Sequence, residues 1–355
     1  MKSTRSFGWA AIGLIPLLMT TACGTSTPSP AAASTTASSS VTAAVTLVTH
    51  DSWSVDPAVL KAFEAKSGIT VTQLSEDALA NQLVLTKDNP LGDVAYGVDN
   101  TYASRTVDAG VFAPYHSPLG GNGSDNYAFD AAHSLTAVDY GDVCVNVDHT
   151  WFTAEGLAEP ATFDDLLKPA NKDLLVAEAP SSSTGLAFLL GTIGHAGKDG
   201  WQAYWTALRN NGVKVVSDWS SAYDVDFSGS AGKGDRPLVV SYASSPPNEV
   251  KDGMTSAPTG TLLDTCFRQI EYVGVLAGAK NPTAAQQVVD FLLSPEFQAG
   301  LPTSMYVYPV DTSVSLPADW AKYAQVATNP VKVDPADISA NRDRWIQQWS
   351  DLMAS

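Results

Sequence analysis

Between residues 45 and 109 the chain alternates short apolar runs with amphipathic stretches, and each run ends on polar residues. VTLVT (45–49) is a buried-type strand that leaves through His50-Asp51-Ser52-Trp53-Ser54. Asp56-Pro57 then supplies an N-cap and a proline at the first helical position. Val59, Leu60 and Phe63 share one face of the helix that follows, over 57–67, and Gly68 stops it. Residues 69–74 form a second strand, 77–86 a second helix and 93–98 a third strand. That third strand ends on Asp99-Asn100-Thr101, which opens another helix to about Ala109. Such an order predicts a doubly wound parallel α/β sheet. In sheets of this kind ligands bind beyond the C-terminal ends of the strands.

A second unit repeats the pattern. Residues 137–147 (AVDYGDVCVNV) read as a strand with a break at Tyr140-Gly141, placed as crossover and hinge between the two units. A turn is expected at 151–156 and a helix start at 162–165. The strand 173–177 runs into APSSSTG, which opens an apolar helix over 185–193. Hydroxyls and N–H groups of Ser182, Ser183, Thr184 and Gly185 at a helix N-terminus suit a phosphate or carboxylate, and a plain capping cluster is the alternative. The Gly-Lys-Ser/Thr ending of a nucleotide phosphate loop is absent. In helix 199–210, Trp201, Tyr204, Trp205 and Leu208 take core-facing spacing. The strand through Val213, Val215 and Val216 ends in a polar turn carrying Trp219 and Tyr223, and the run 237–240 ends on Ser241 and Tyr242. Rigid aromatic side chains at two strand ends suit a flat or cationic ligand, although Trp219 taken alone reads more readily as core. Residues 261–277 form an apolar return through the hinge. Helices follow over 283–293 and 295–299, then a loop at 306–309 and a last amphipathic helix from Asp334-Pro335 through Trp349.

Charge and cysteine use narrow the function classes. The formal charge is −17, and removing Lys2 and Arg5 with the first 22 residues leaves −19. So acidic a body argues against nucleic acid or anionic lipid as a surface partner. Lys2 and Arg5 precede an apolar stretch, 7–19, too short to span a membrane as a mature helix. LMTTACG (18–24) resembles a bacterial lipoprotein signal, with 1–22 removed and Cys23 lipidated. Thr20 stands where that motif usually has Leu, and ordinary signal-peptidase cleavage is the alternative. Residues 23–44 are rich in Ser, Thr, Ala and Pro and read as a flexible tether. Cys144 and Cys266 remain, and two cysteines in an exported chain invite a disulfide. Neither has the spacing of a zinc site, and His50, His116, His133, His149 and His195 have no context of a catalytic triad, so no metal site and no catalytic residue are assigned.

Two α/β units behind a lipoprotein signal resemble the type II periplasmic-type solute-binding proteins. Several strings sharpen the resemblance to the thiamine-binding proteins of ABC importers: Thr49-His50-Asp51-Ser52-Trp53, Gly97-Val98-Asp99-Asn100, Asp139-Tyr140-Gly141, residues 182–185, 218–223, Ser241-Tyr242 with Ser245-Pro246, 301–303, 308–310 and 342–349. They occur in order over roughly 45–350. The resemblance implies a first lobe from 45–139 plus 267–316, a second from 140–266, and C-terminal helices (317–355) packing across them. By position, Trp219 and Tyr242 would contact the thiamine rings, with Tyr306 in a further aromatic place. Asp51, Asp99 and Asn100 would offer acceptors, and Ser182, Ser183, Thr184 and Gly185 would receive the hydroxyethyl end or its phosphate. Trp53, Tyr140 and Tyr223 complete the candidate set. Two positions depart from the family: Tyr306 stands where Trp is common, and Asn248 where an aromatic is. The implied protein is a monomeric, non-catalytic carrier of thiamine or its mono- or diphosphate, without a cofactor. It would be lipid-anchored on the extracytoplasmic face of the cell membrane and partnered by an ABC permease and its ATPase. A thiaminase-like enzyme with Cys144 as nucleophile, near Asp139 and Asp142, is one alternative, and a binding protein for another organic cation is the other.

Overall fold

Ten strands and ten α-helices succeed one another in the computed structural model, which describes residues 43–50, 53–76 and 78–355. The signal segment, most of the tether with Cys23, and Asp51 lie outside the described residues. The strands are β1 (Ala43–Thr49), β2 (Ile69–Ser75), β3 (Val94–Asp99), β4 (Phe112–Ala113) and β5 (Thr136–Asp148), then β6 (Leu175–Glu178), β7 (Lys214–Val216), β8 (Leu238–Tyr242), β9 (Thr259–Leu276) and β10 (Tyr308–Pro309). The helices are α1 (Pro57–Ser67), α2 (Leu79–Leu85), α3 (Ala103–Asp108), α4 (His149–Glu155) and α5 (Ser183–Ala196), then α6 (Trp201–Asn210), α7 (Pro282–Leu292), α8 (Pro295–Ser304), α9 (Ala318–Tyr323) and α10 (Pro335–Ala354).

The sheet runs β2-β1-β3-β9-β5-β8-β6-β7, with β4 on β9 and β10 on β5. Its flanks, β2-β1-β3 and β8-β6-β7, are parallel, as the strand–helix alternation predicts. Its centre is antiparallel, because β5 and β9 each run on through both flanking units. Buried side chains fall into two main clusters. One gathers β1, β3, α7 and α8, with Ala137, Val138 and Val273 from the central strands. The other gathers α5, α6 and β8, with Val143, Val145 and Phe267 from the same two strands. Cys144 and Cys266 are joined by a disulfide between β5 and β9.

Local chemistry sets the helix ends. Asp56 accepts from the Ala58 N–H (2.7 Å) in front of Pro57, and Gly68, at φ +71°, closes α1. The aromatic face of α6 is core: Trp205 donates to Thr192 Oγ1 (2.8 Å) and meets Trp349 of α10 edge-on at 5.3 Å. Arg342 of α10 donates to the Thr101 carbonyl (3.1 Å) and lies 4.1 Å over the Tyr102 ring. Among the described residues no helix is long and apolar enough to cross a membrane.

Four local expectations change. Residues 149–155 are helical rather than a turn, since Asp148 caps Thr150 and Trp151 and Gly156 ends the helix at φ +65°. The strand runs unbroken through Tyr140-Gly141, with Gly141 paired to Gln269. Gly141 is there for space: a Cβ would stand 2.9 Å from Tyr242 Cδ1. At 165–167 the chain makes a single 3₁₀ turn, and Tyr308–Pro309 pairs with β5 instead of looping.

Candidate functional site

Strand ends from both flanks approach one another across β9. Asp99, the last residue of β3, is buried; its Oδ1 accepts from the Thr101 N–H (2.8 Å) and hydroxyl (2.5 Å), and its Oδ2 from Gln269 Nε2 (2.7 Å). Burial raises its carboxyl above the ordinary range against the pull of those hydrogen bonds. Tyr242, at the end of β8, donates to Gln269 Oε1 (3.1 Å), so one glutamine of β9 links the two ends. A cavity of about 280 Å³ lies here, lined by His50, Asn81, Gly97, Asp99, Tyr102 and, from the start of α5, Ser183. A larger one, about 620 Å³, sits elsewhere, in an apolar groove between α1 and α7, and touches none of the strand ends.

At α5 the capping reading and an open first turn coexist. Ser182 Oγ accepts from the Gly185 N–H (3.0 Å) and donates to the Ala179 carbonyl (3.1 Å), while Ser183 is exposed to the cavity and Thr184 is buried. Gly185 is demanded by close approach, for a Cβ would stand 2.2 Å from the Ala179 carbonyl oxygen. Glu178, the last residue of β6, is completely buried. Its carboxyl is pushed up to about 8, mainly by that burial.

The aromatic wall is layered. Trp219 and Tyr223 stack at 4.8 Å and 11° on a wide π-type turn, with Trp219 half-buried and Tyr223 buried beneath it. Trp219 Nε1 donates to Ser241 Oγ (2.8 Å), and Tyr223 OH to Glu249 (3.1 Å). Ser241 and Tyr242 are consecutive in β8 and point to opposite faces. Trp219 accordingly joins Val239 and Phe227, whereas Tyr242 joins the α5–α6 cluster. The two rings stand on either side of the strand end and are not a stacked pair.

The remaining candidates differ in what they touch. Asn100 spends both ends of its amide on β9, donating to the Arg268 carbonyl (3.0 Å) and accepting from the Ile270 N–H (3.1 Å). Tyr140 stacks on Tyr308 (5.3 Å) under the Arg268 guanidinium (4.7 Å). Trp53 is buried in the first cluster. Tyr306 is 47% exposed at φ +58°, a left-handed backbone uncommon for an aromatic residue, and its carbonyl accepts from Ser244 (2.7 Å). Cys144 is fully buried and oxidised, so it offers no thiolate and the thiaminase-like alternative loses its nucleophile.

Sequence reasoning missed a buried acidic cluster behind the cleft. Tyr96 OH lies within hydrogen-bond distance of Asp139 Oδ2 and of Glu271 Oε2 (3.1 Å), and His50 Nε2 lies 3.5 Å from Glu271 Oε1. Burial and the charge of Glu271 hold the Asp139 carboxyl well above the usual range. Burial alone would raise Glu271 too, but His50, with Tyr96 and Asp139, brings it below. One proton is therefore kept on Asp139 and one charge on Glu271. Asp139 and Glu271 are cross-strand partners in β5 and β9, a pairing that no local pattern signals.

This fold, with a cleft between strand ends on either side of a two-strand crossover, defines a solute-binding protein of the type II periplasmic class. The family model for bacterial extracellular solute-binding proteins matches residues 89–329, and the chain belongs to that family. It is 31% identical to the thiamine-binding periplasmic protein of Escherichia coli (strain K12) over 86% of this chain and 92% of the relative. The protein of the same name from Salmonella typhimurium is 29% identical over the same shares. Among solved structures, a periplasmic thiamin binding protein superposes with a TM-score of 0.72 at 25% identity, covering 87% of this chain and 96% of its own. The ferric binding protein from Campylobacter jejuni shares the fold at a TM-score of 0.70 and 18% identity, covering 87% and 99%.

Proposed function

We propose that this protein captures thiamine in the cleft between its two lobes and delivers it to an ABC permease, without chemical change to the ligand. One observation carries the reading: among the described residues the cavity lining holds Glu76 and Asp99 but neither lysine nor arginine. A fixed organic cation replaces the missing counter-charge, which is what a thiazolium brings. Trp219, backed by Tyr223, and the exposed Tyr306 supply faces for flat rings. The names of the two curated relatives agree. The first turn of α5 at Ser183 suits the hydroxyethyl end or a phosphate on it, so thiamine phosphates are ligands of the same site. Cys23 carries the lipid that holds the chain, as a monomer, at the extracytoplasmic face of the membrane.

Ligand-free protein titrated with thiamine, its mono- and diphosphate and a thiazolium-free pyrimidine tests the reading by tryptophan fluorescence. Saturable binding of thiamine, with the ligand recovered intact, is expected. Silence toward all four with a response to an unrelated solute would end it. Replacement Cys23→Ser is expected to free the chain from the membrane fraction.

A further inference from the structure

Outside the cleft, a loop of the first unit brings two histidines and an aspartate together. The Tyr115 N–H donates to the His133 carbonyl (3.0 Å) and closes the loop between them. Inside that closure the His116 and His133 rings face each other at 4.0 Å, and His116 Nε2 lies 3.2 and 3.4 Å from the two Asp125 oxygens. One ligand atom from each of the three residues falls within 4.8 Å of the other two. We propose that His116, Asp125 and His133 bind a divalent metal ion of the zinc class, with one position left for water.

Two imidazoles and a carboxylate are the donor set that zinc takes. Tetrahedral zinc with bonds of about 2.0–2.1 Å sets its ligand atoms about 3.3 Å apart. The His116–Asp125 edge already has that length, and the His133 ligand atom, within 4.8 Å of the other two, has at most about 1.5 Å left to close. Two backbone features independently serve the cluster. A Cβ on Gly120 would stand 2.4 Å from Asp125 Oδ1, so glycine there leaves the carboxylate room to turn toward His116. His133 is held at φ +52°, a left-handed conformation that costs free energy in a non-glycine residue and is retained where a side chain must be aimed. The same loop sets Tyr127 against Tyr140 (5.3 Å) and Phe129 against Tyr272 (6.0 Å), so the metal would fasten a segment packed on both central strands. The spacing 116, 125, 133 matches no linear motif, which is why the sequence alone shows no site.

The proposal is independent of the thiamine reading. Metal-free full chain is titrated with ZnCl₂ by calorimetry and with Co²⁺ by visible absorption, and thiamine binding is followed in parallel. One Zn²⁺ per chain is expected, with a four- or five-coordinate Co²⁺ spectrum and a raised Tm. His116→Ala with His133→Ala should weaken Zn²⁺ at least tenfold and abolish the Tm gain, each protein being compared with its own metal-free melt. His149→Ala with His195→Ala, whose rings pair with Glu159 and Asp164, should bind as wild type. No stoichiometric binding, or equal binding in the His116/His133 variant, overturns the site.

Discussion

Replacing Glu178 by Gln probes the second wall of the cleft through pH. Glu178 is completely buried, and its carboxyl is pushed up to about 8, chiefly by burial, with the charge of Asp218 adding to it. The unfolded reference is 4.5. Below that value both states hold the proton and the group contributes nothing. Above it the unfolded chain releases the proton while the fold retains it to about 8, so the wild type loses stability progressively across that window. At 1.36 kcal/mol per pH unit the separation corresponds to at most about 5 kcal/mol at pH 8. Gln keeps the shape and cannot ionise. For a chain of this size about 2 °C of Tm accompanies each kcal/mol, so Glu178→Gln should melt up to about 10 °C higher than wild type at pH 8. At pH 5 the two should melt within about 1–2 °C of each other. Thermal unfolding by circular dichroism at both pH values decides. An equal difference at pH 5 and 8 would refute a protonated buried carboxyl.

Three further outcomes are expected. Trp219→Ala should weaken thiamine roughly tenfold to a hundredfold by calorimetry, because the ring face proposed to hold the cation is gone, whereas Trp219→Phe keeps the stack on Tyr223, gives up only the Ser241 bond and should lose less; full affinity in the Ala variant removes Trp219 from the site. Arg268 grips the fully buried Asp142 at 2.7 and 2.8 Å, so Arg268→Ala strands that carboxylate and should cost about 3–5 kcal/mol in urea unfolding; a loss under about 1 kcal/mol would mean the pair is not desolvated. Cys144→Ala with Cys266→Ala opens a bond across 122 residues and should cost about 2–5 kcal/mol, read from urea midpoints, with reductant then shifting the wild type but not the variant.

What could be read from the sequence was what neighbours in the chain decide. Asp56, Pro57 and Gly68 bound α1 because caps act within one turn, and the apolar runs of β1, β3, β6 and β8 betray strands buried on both faces. The same locality exposed Asp99, Ser183 and Trp219 as strand-end residues. It failed at α4, whose cap, Asp148, is also the last residue of a strand, so the polar step reads as an exit turn. It stops short at Trp219 and Tyr242, since neighbouring sequence says nothing of which face of β8 each ring takes.

The acidic cluster marks where local reading stops. Asp139 and Glu271 meet because β5 and β9 pair antiparallel, with register shifts flanking residue 138 and residue 144. A slip of one residue would turn Asp139 to the other face and bring another side chain opposite Glu271. Tyr96 reaches both carboxyls only because β3 lies against β9 as well. Asp139 is fully buried and the Glu271 side chain is only 17% exposed, so the two carboxyls cannot both ionise at an acceptable cost, and one retained proton and the nearby His50 are what make that register tolerable. The arrangement adds no apolar area, and a hydrophobic pair would pack the crossover at least as stably. Its consequence is electrostatic: the charge of Glu271, drawn below its ordinary range against burial chiefly by His50, lies on β9 near Asp99 and Tyr242 and adds to the burial that raises both. The field that the proposed cationic ligand would meet is thus set partly by a carboxylate on the crossover strands.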